Sequence, residues 1–307
     1  MPDRGNIAWL TRDKLDAGRW DDCIKKSPNG LVYGYSFYLD VICERWDALV
    51  LNNYEAVMPL CWNKKWGIHY LYQPFLTAQL GLFGPRIDAE LLESFLKAVP
   101  ARFKYWDIYL NHQNIFSLRD FNLYTRSNYV LNLATPHEYL YKNYRENIQR
   151  NIRKCMQSGA SAQKDIPVEK VIELAKGQMK EFGKEAEKNL DRFRKLYAEL
   201  QGRQMALTRG IVSAEGELLA SAVFFFSHNR AYYILVGNHP DGKALGTSHA
   251  LIDAFIQEYA GKNLLLDFEG SDIPSLAFFY SGFGALEEKY AGLKLNRLPF
   301  YVKWLKK

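Results

Sequence analysis

The stretch GNHPDGKALGTSHALIDAFIQEYAGKNLLLDFEGSDIPSLAFFYSGFGALEEKY, residues 237–290, carries most of the information about the fold. A strand, AYYILVG, ends at Gly237, and a glycine-containing turn leads into a helix that begins near Gly246. The apolar run 264–269 predicts a buried strand, and 276–281 predicts a short helix. Backbone N–H groups at a helix start are unpaired and favour anions. The stretch therefore predicts a strand–loop–helix–strand unit. Its turn is a candidate phosphate site, and the alternative is a glycine that only the turn conformation requires.

The sequence before this stretch alternates strands and helices in the same manner. Residues 204–237 predict a three-stranded antiparallel meander with turns at AEGE and SHNR. Nearer the N-terminus, 88–99 predicts a helix that Asp88 caps, and 104–110 predicts a strand. Mixed elements of this kind indicate an α/β (α+β) fold rather than a barrel or a helix bundle.

The two halves of the chain share one order of elements: an antiparallel meander, a helix, and a strand with one buried-looking acid. These acids are Asp107 in WDIYL and Asp267 in LLLDFE. Sequence identity between the halves is faint, so an internal duplication is a hypothesis. We expect two domains, residues 1–134 and residues 135–307, each with a mixed and mostly antiparallel sheet flanked by helices. No glycine-rich phosphate loop follows QLGLFGP in the first domain, where we expect no cofactor site.

Composition excludes several classes of protein. Of 307 residues, 48% are hydrophobic and 15% are aromatic, which excludes disorder over most of the length. The longest apolar run, 218–226, is too short to cross a bilayer, and the first residues do not resemble a signal peptide. Four scattered cysteines and six histidines show no metal-ligand spacing, so we expect no metal. A cytoplasmic protein with reduced thiols is the simplest expectation.

The net charge of +6 is concentrated in the segment KNYRENIQRNIRK, residues 142–154, which holds five basic residues and one acidic residue. Its helical periodicity separates an apolar stripe from a basic face. Arg150, Arg153 and Lys154 on that face are candidate contacts for a substrate or a polyanion, such as a nucleotide or a tRNA. A solvated outer face is the alternative reading. Known DNA- and RNA-binding motifs are absent, and we expect no DNA partner.

These motifs resemble the GNAT acyltransferase superfamily, and more specifically its Fem-type branch, the FemABX-like proteins. The resemblance lies in ALGTSHALIDAFI, LLLDFEGSDIPSLAFFYSGFGA and YLYKNYRENIQRNIRKC. It covers residues 135–290 well and residues 1–134 only by pattern. Fem-type proteins carry two GNAT-like domains in tandem, which agrees with the repeated order of elements. The resemblance implies an acyltransferase that uses acyl-CoA or aminoacyl-tRNA as the donor.

The resemblance also implies a set of site residues. Lys243-Ala244-Leu245-Gly246-Thr247-Ser248 stands where GNAT proteins hold the pyrophosphate of acyl-CoA, with Ser248 in place of the usual glycine or alanine. The expected donor-binding residues are Val236, Gly237, Lys243, Gly246, Thr247 and Ser248. The expected catalytic residues are Glu269 or Asp267 as a base or substrate anchor and Tyr280 as the acid for the leaving group. The alternative for Tyr280 is a packed aromatic side chain. For Asp267 and Glu269 it is capping of the next helix or pairing with Lys or Arg, and for Gly246 it is a glycine that the turn conformation requires.

Two functions of different classes follow. The first is N-acyl or aminoacyl transfer to an amine of a small molecule or peptide, including a cell-wall precursor as one candidate. The second is a non-catalytic ligand-binding protein on a degenerate tandem GNAT fold. The imperfect phosphate loop argues against acyl-CoA, while the basic helix argues for a polyphosphate or tRNA partner.

Overall fold

The computed structural model describes residues 5–177, 184–270 and 272–299. Within these ranges the chain forms twelve strands and ten α-helices. The first group is β1 Ile7–Thr11, α1 Ala17–Lys26, α2 Ser36–Ile42, β2 Trp46–Leu51, β3 Ala56–Lys65, β4 Ile68–Tyr72, α3 Ala89–Ala98, β5 Phe103–Tyr109 and β6 Leu123–Asn132. The second group is α4 His137–Lys142, α5 Glu146–Gln157, β7 Ser161–Lys164, α6 Val168–Lys176, α7 Lys184–Gly202, β8 Ala206–Val212, β9 Leu218–Ser227, β10 Arg230–Asn238, α8 Pro240–Leu245, α9 Thr247–Tyr259, β11 Leu265–Asp267, α10 Pro274–Ser281 and β12 Leu286–Asn296.

Local sequence explains where several elements begin. The Asp88 side chain accepts a hydrogen bond from the Leu91 N–H, so α3 is capped as predicted. Asp16 caps α1 in the same way through the Arg19 N–H. The meander at β8, β9 and β10 and the helix after Gly246 also form where the sequence predicts them. A closing strand predicted near Phe300 lies outside the described residues.

The chain divides into two compact units, and the first contains residues 1–126 and 289–307. Its sheet has the order β1-β2-β3-β4-β5-β12. The first four strands pair antiparallel, β4 and β5 pair parallel, and β12 pairs antiparallel with β5. Helix α3 contributes Leu92, Phe95 and Leu96 to a core with the inner face of this sheet.

The second unit contains residues 127–288 and repeats this arrangement. Its sheet has the order β7-β8-β9-β10-β11-β6, again with four antiparallel strands, one parallel pair and one antiparallel closing strand. Helices α5 and α9 bury an apolar core that includes Ile148, Ile152 and Phe255. The predicted fold class, two tandem α/β units with mostly antiparallel sheets, is confirmed.

The connectivity of the last strand in each unit was not expected from the sequence. Strand β6 follows β5 along the chain but pairs with β11, whereas β12 follows β11 and pairs with β5. The second unit begins at Ser127, where we expected residue 135, and the described residues 289–299 belong to the first unit. A single domain boundary along the chain therefore cannot describe the two units, because the last strand of the first unit comes from the C-terminal part of the chain.

Candidate functional site

Strands β10 and β11 of the second unit separate after a short parallel ladder. Arg230, Ala231 and Tyr232 pair with Leu265, Leu266 and Asp267, and no pairing of these two strands continues beyond them. Strand β10 runs on to Asn238 beside β9 alone, with a β-bulge between Tyr233 and Leu235. Bulges re-aim backbone and side chains and are frequent beside active sites. The split therefore opens next to the strand end where the candidate residues lie.

Asp267 closes the base of this split through a buried ion cluster. The Arg230 Nη1 atom lies 2.6 Å from Asp267 Oδ2 and 2.8 Å from Glu288 Oε2, and Arg230 Nη2 donates to Glu288 Oε1 at 2.8 Å. Burial alone would lower the pKa of Arg230, but the charges of Asp267 and Glu288 raise it above its ordinary value. Asp267 is thus the buried ion-pair partner of Arg230 inside the unit.

Glu269 follows in a backbone conformation that is uncommon for a residue with a side chain. Its φ is 65°, and Gly270 after it has a φ of 61°. Asp267 Oδ1 accepts from the Glu269 N–H at 2.8 Å, and the buried Asn128 Oδ1 accepts from the Gly270 N–H at 2.6 Å. These two hydrogen bonds stabilise a turn whose left-handed backbone is unfavourable for Glu269. Residues held in such uncommon backbone conformations cluster at functional sites. Removal from water raises the pKa of Glu269 well above its ordinary value.

Tyr280 on α10 lies beside Glu269. Its ring stacks on Phe268 with centroids 4.6 Å apart, and the side chain is 9% exposed. Burial and the nearby charge of Glu269 raise the pKa of Tyr280 to about 12. Tyr233 on β10 is also buried, and burial together with the charge of Tyr280 raises its pKa. The charge of Glu269 thus affects the pKa of Tyr280, and that of Tyr280 affects the pKa of Tyr233, so the three side chains lie close together at the split.

The predicted phosphate loop is a junction between two helices. Helix α8 ends at Gly246, which has a φ of 79°, and α9 begins directly after it. A Cβ atom on Gly246 would lie 2.8 Å from Asn151 Cβ and 2.9 Å from Asn151 O. The sequence predicts a phosphate beside Gly246. The space beside Gly246 instead holds the backbone of α5, so the glycine is required for helix packing and for its left-handed φ.

The other predicted donor residues differ in accessibility. Lys243 is exposed, but Thr247 is fully buried, and its Oγ1 atom has no hydrogen-bond partner among the described residues. The half-buried Ser248 donates to Asn238 Oδ1 at 2.5 Å. Of the two strand-end residues, Val236 is half-buried, while a Cβ on Gly237 would lie 2.7 Å from the Ala175 nitrogen of α6. The buried members of this set serve packing in this conformation.

Helix α5 connects this junction with α10. The Lys154 Nζ donates to the Ala244 carbonyl oxygen at 2.8 Å, at the end of α8. At the start of α5, the Arg145 guanidinium lies 4.2 Å from the Phe278 ring centroid and donates to the Phe278 carbonyl oxygen. Arg150 and Arg153 are exposed, and within the described part of the chain neither makes an ion pair. They are available to an anionic ligand.

His249 is a residue that the sequence analysis did not identify. It lies in the first turn of α9, and its ring centroid is 4.9 Å from that of Phe279, the neighbour of Tyr280. Its Nε2 atom is 3.4 Å from Asn151 Nδ2, and burial lowers its pKa. His249 thereby connects the Gly246 junction with α10. Arg230 and Asn128 were also not predicted, because no local pattern marks a partner so distant in sequence.

In the first unit, the position that corresponds to the split is occupied by a side chain of the unit itself, that of Gln73. Its parallel pair β4–β5 ends with Tyr72 opposite Asp107, as Tyr232 stands opposite Asp267 in the second unit. The next residue, Gln73, accepts a hydrogen bond from the Tyr109 N–H and donates to the Thr77 carbonyl oxygen. The gap beyond the ladder is therefore bridged by a side chain.

The same described residues also bear on metal binding and on membrane insertion. Among them, no group of three or more His, Cys, Asp or Glu side chains is arranged to hold a metal ion. No helix within the described ranges has the length and apolar character needed to span a membrane.

Comparison with known proteins identifies the fold. Residues 142–272 match the family described as Acetyltransferase (GNAT) domain. The structure of FemX superposes with a TM-score of 0.64 at 11% identity, covering 92% of this chain and 96% of that chain. A conserved protein of unknown function from Bacteroides thetaiotaomicron superposes with a TM-score of 0.58 at 10% identity, covering 95% of this chain and 100% of that chain. L-PGS from Bacillus licheniformis superposes with a TM-score of 0.52 at 12% identity, covering 94% of this chain and 95% of that chain. No curated protein sequence matches the chain.

Proposed function

Since residues 142–272 form a GNAT acetyltransferase domain in a chain with the fold of FemX, we propose that the second unit transfers an acyl or aminoacyl group to an amine. The predicted resemblance to the GNAT superfamily is confirmed by these matches, and the matched acetyltransferase domain supports the predicted acyltransferase. The observation that carries the finer proposal is the placement of Glu269 beside Tyr280 at the split between β10 and β11. Acyl transfer needs a base and an acid at one place.

In this proposal Glu269 is the base. A carboxylate with a raised pKa accepts a proton more readily near neutral pH than an ordinary glutamate does. Glu269 takes the proton from the acceptor amine while the amine nitrogen forms a bond to the acyl carbon. The Arg230–Asp267 pair positions this residue, because Asp267 fixes the Glu269 N–H. Asp267 accordingly has a positioning role in the proposal rather than that of an alternative base.

Tyr280 is the proposed acid. As the tetrahedral adduct collapses, the bond between the acyl carbon and the leaving sulfur or oxygen breaks, and the Tyr280 hydroxyl protonates that atom. A pKa raised to about 12 keeps the hydroxyl protonated until this step. Successive N–H groups of a strand point to opposite edges. Beyond the bulge the His239 N–H donates to the Leu219 carbonyl oxygen beside β9, so the Gly237 N–H, two residues earlier, also faces β9. Of the two predicted residues, Val236 is therefore the proposed backbone donor to the carbonyl oxygen of the acyl group.

Acyl-CoA and aminoacyl-tRNA are the two proposed donors, and both carry phosphates. Lys243 at the helix junction and the exposed Arg150 and Arg153 on α5 are the proposed phosphate contacts. FemX and L-PGS are structural neighbours by fold alone. Because Thr247 is buried, the helix junction offers a pyrophosphate fewer hydrogen-bond donors than its sequence implies. The exposed Arg150 and Arg153 suit a longer polyanion. The acceptor is a small molecule or peptide with a free amine, and a cell-wall precursor is one candidate.

The test has two stages. Thermal shift of the full chain with acetyl-CoA and, separately, with charged tRNA identifies the donor. Transfer from that donor to a panel of amino sugars and lysine-containing peptides is then measured for Glu269→Gln and Tyr280→Phe. Each variant should lower turnover by about 10²- to 10⁴-fold. Glu173→Gln and Tyr259→Phe in the same unit are the controls and should retain turnover.

The second candidate function is ligand binding without chemistry. The observation that favours it is the tight packing of Gly246 against Asn151, which fills space that a donor would need. Binding of a donor with no transfer to any acceptor, and with affinity unchanged in Glu269→Gln and Tyr280→Phe, would support this candidate and contradict the catalytic assignment.

A further inference from the structure

Two cysteine sulfurs of the first unit are in contact. Cys43 follows the last residue of α2, and Cys61 lies on β3. Their Sγ atoms are 3.3 Å apart, and the two residues are 6% and 3% exposed. The register of β2 and β3 explains this proximity, because Trp46, three residues after Cys43, stands opposite Cys61. The contact is therefore set by a regular hairpin rather than by a loose loop.

The other two cysteines provide an internal comparison. Cys23 and Cys155 are also buried thiols. The Cys23 sulfur lies 4.0 Å from Ser27 Oγ and 3.9 Å from the Glu55 carbonyl oxygen. In the described ranges, neither Cys23 nor Cys155 has a second sulfur within bonding reach. Burial is therefore common to all four cysteines, whereas a sulfur–sulfur contact distinguishes Cys43 and Cys61.

A surface cavity leads to one member of the pair. Its volume is about 400 Å³, and Cys43 lines it together with Arg45, Trp46 and Trp62. Cys61 is not part of its lining. Cys61 lines a separate pocket of only about 10 Å³, which has room for no more than a water molecule, so a peroxide in the larger cavity contacts Cys43 and not Cys61. This is the order of a first-reacting and a resolving cysteine.

We propose that Cys43 and Cys61 form a redox site that a hydroperoxide oxidises to a disulfide. The Cys43 thiolate attacks a peroxide oxygen; the sulfur–oxygen bond forms and the oxygen–oxygen bond breaks. The released oxygen takes the thiol proton, and Cys43 becomes a sulfenic acid. The Cys61 thiolate then attacks the Cys43 sulfur and displaces hydroxide, which leaves as water with the Cys61 proton. For hydrogen peroxide, two thiols and one oxidant give one disulfide and two waters.

The geometry requires little movement for this bond. A disulfide has a sulfur–sulfur distance of about 2.05 Å, so the two sulfurs must approach by roughly 1.2 Å. The bond would tie the end of α2 to β3 and close a loop that contains β2. Closing such a loop restricts the unfolded chain, so the oxidised protein should unfold at a higher temperature than the reduced protein.

The experiment treats the reduced full chain with hydrogen peroxide and maps the product by mass spectrometry without reduction. We expect a loss of two hydrogens, one peptide link between Cys43 and Cys61, and two thiols still reactive after denaturation. Cys61→Ser should accumulate a sulfenic acid on Cys43 that dimedone traps. Dithiothreitol should restore all four thiols and reverse the rise in unfolding temperature.

Three results would overturn the proposal. One is oxidation of Cys23 or Cys155 at the same rate as Cys43. Another is a product in which all four thiols survive a peroxide dose that oxidises a free cysteine control. The third is a link between chains in place of the Cys43–Cys61 link. The mass-spectrometric map of the unmodified chain tests the proposal even where a cysteine variant folds poorly. It does not depend on acyl transfer.

Discussion

At the scale of single residues, Glu269 is half-buried and combines a left-handed backbone with a carboxyl group whose pKa is raised by burial. Because burial raises the pKa, the folded protein keeps a proton that the unfolded chain releases above about pH 4.5. The free energy of unfolding should therefore fall as the pH rises from about 4.5 toward the raised pKa. Glu269→Gln should remove this fall.

Urea denaturation between about pH 5 and pH 8 measures the effect. Glu269→Gln should gain stability relative to the unmodified protein as the pH rises. The exposed Glu173→Gln should follow the unmodified protein throughout. Parallel curves for Glu269→Gln and the unmodified protein would show that Glu269 is not perturbed by folding.

Gly246 allows a second residue-scale prediction with a matched control. Gly246 and Gly261 have left-handed φ values of 79° and 80°, but a Cβ on Gly261 meets no atom within 4 Å. Both alanine variants should lose roughly 1–2 kcal/mol from the backbone conformation. Gly246→Ala should lose a further amount of about 1–3 kcal/mol through its overlap with Asn151. Equal losses by chemical denaturation would contradict the packing role of Gly246.

At the scale of elements, the short β10–β11 ladder depends on the ion cluster at its end. Replacing Arg230 by Met leaves Asp267 buried and unpaired, and the expected loss is about 3–5 kcal/mol of unfolding free energy. Asp267→Asn in that background should recover part of the loss because it removes the buried charge. The more exposed Arg194→Met should cost at most about 1 kcal/mol. A loss no larger for Arg230→Met than for Arg194→Met would contradict the cluster's structural role.

Helix α5 gives an element-scale prediction about the donor. Arg150→Glu with Arg153→Glu should weaken binding of a phosphate-bearing donor about ten-fold and reduce the dependence of binding on salt concentration. Lys170→Glu with Lys195→Glu reverses the same charge on α6 and α7 of this unit and serves as the control. Titration calorimetry at two salt concentrations measures both. Equal weakening in the two double variants would indicate a general charge effect rather than a site on α5.

At the scale of the whole molecule, the exchange of closing strands makes the C-terminal region part of the first unit. Leu293 on β12 is 1% exposed and stands opposite Ile108 on β5. Leu293→Ala should cost about 2–5 kcal/mol and increase amide hydrogen exchange along β5. The neighbouring exposed Lys294→Ala should leave that exchange unchanged. An increase confined to β11 would contradict the assignment of β12 to the first unit.

The sequence alone determined the elements whose signals are local. Asp88 before an apolar periodic run predicted α3, and the glycine-containing turn after AYYILVG predicted a helix within two residues of Thr247. The fold class and the GNAT resemblance followed from the order of such elements. Capping, turns and apolar periodicity act over a few residues, so a sequence displays them directly.

The tertiary structure alone decided which distant groups meet. Asp267 pairs with Arg230, Gly246 packs on Asn151, and β12 closes the sheet of a unit that begins near the N-terminus. The same is true of the Cys43–Cys61 contact. Each of these depends on strand register and helix packing between segments far apart in the chain, where the energy comes from burial and charge rather than from local conformation.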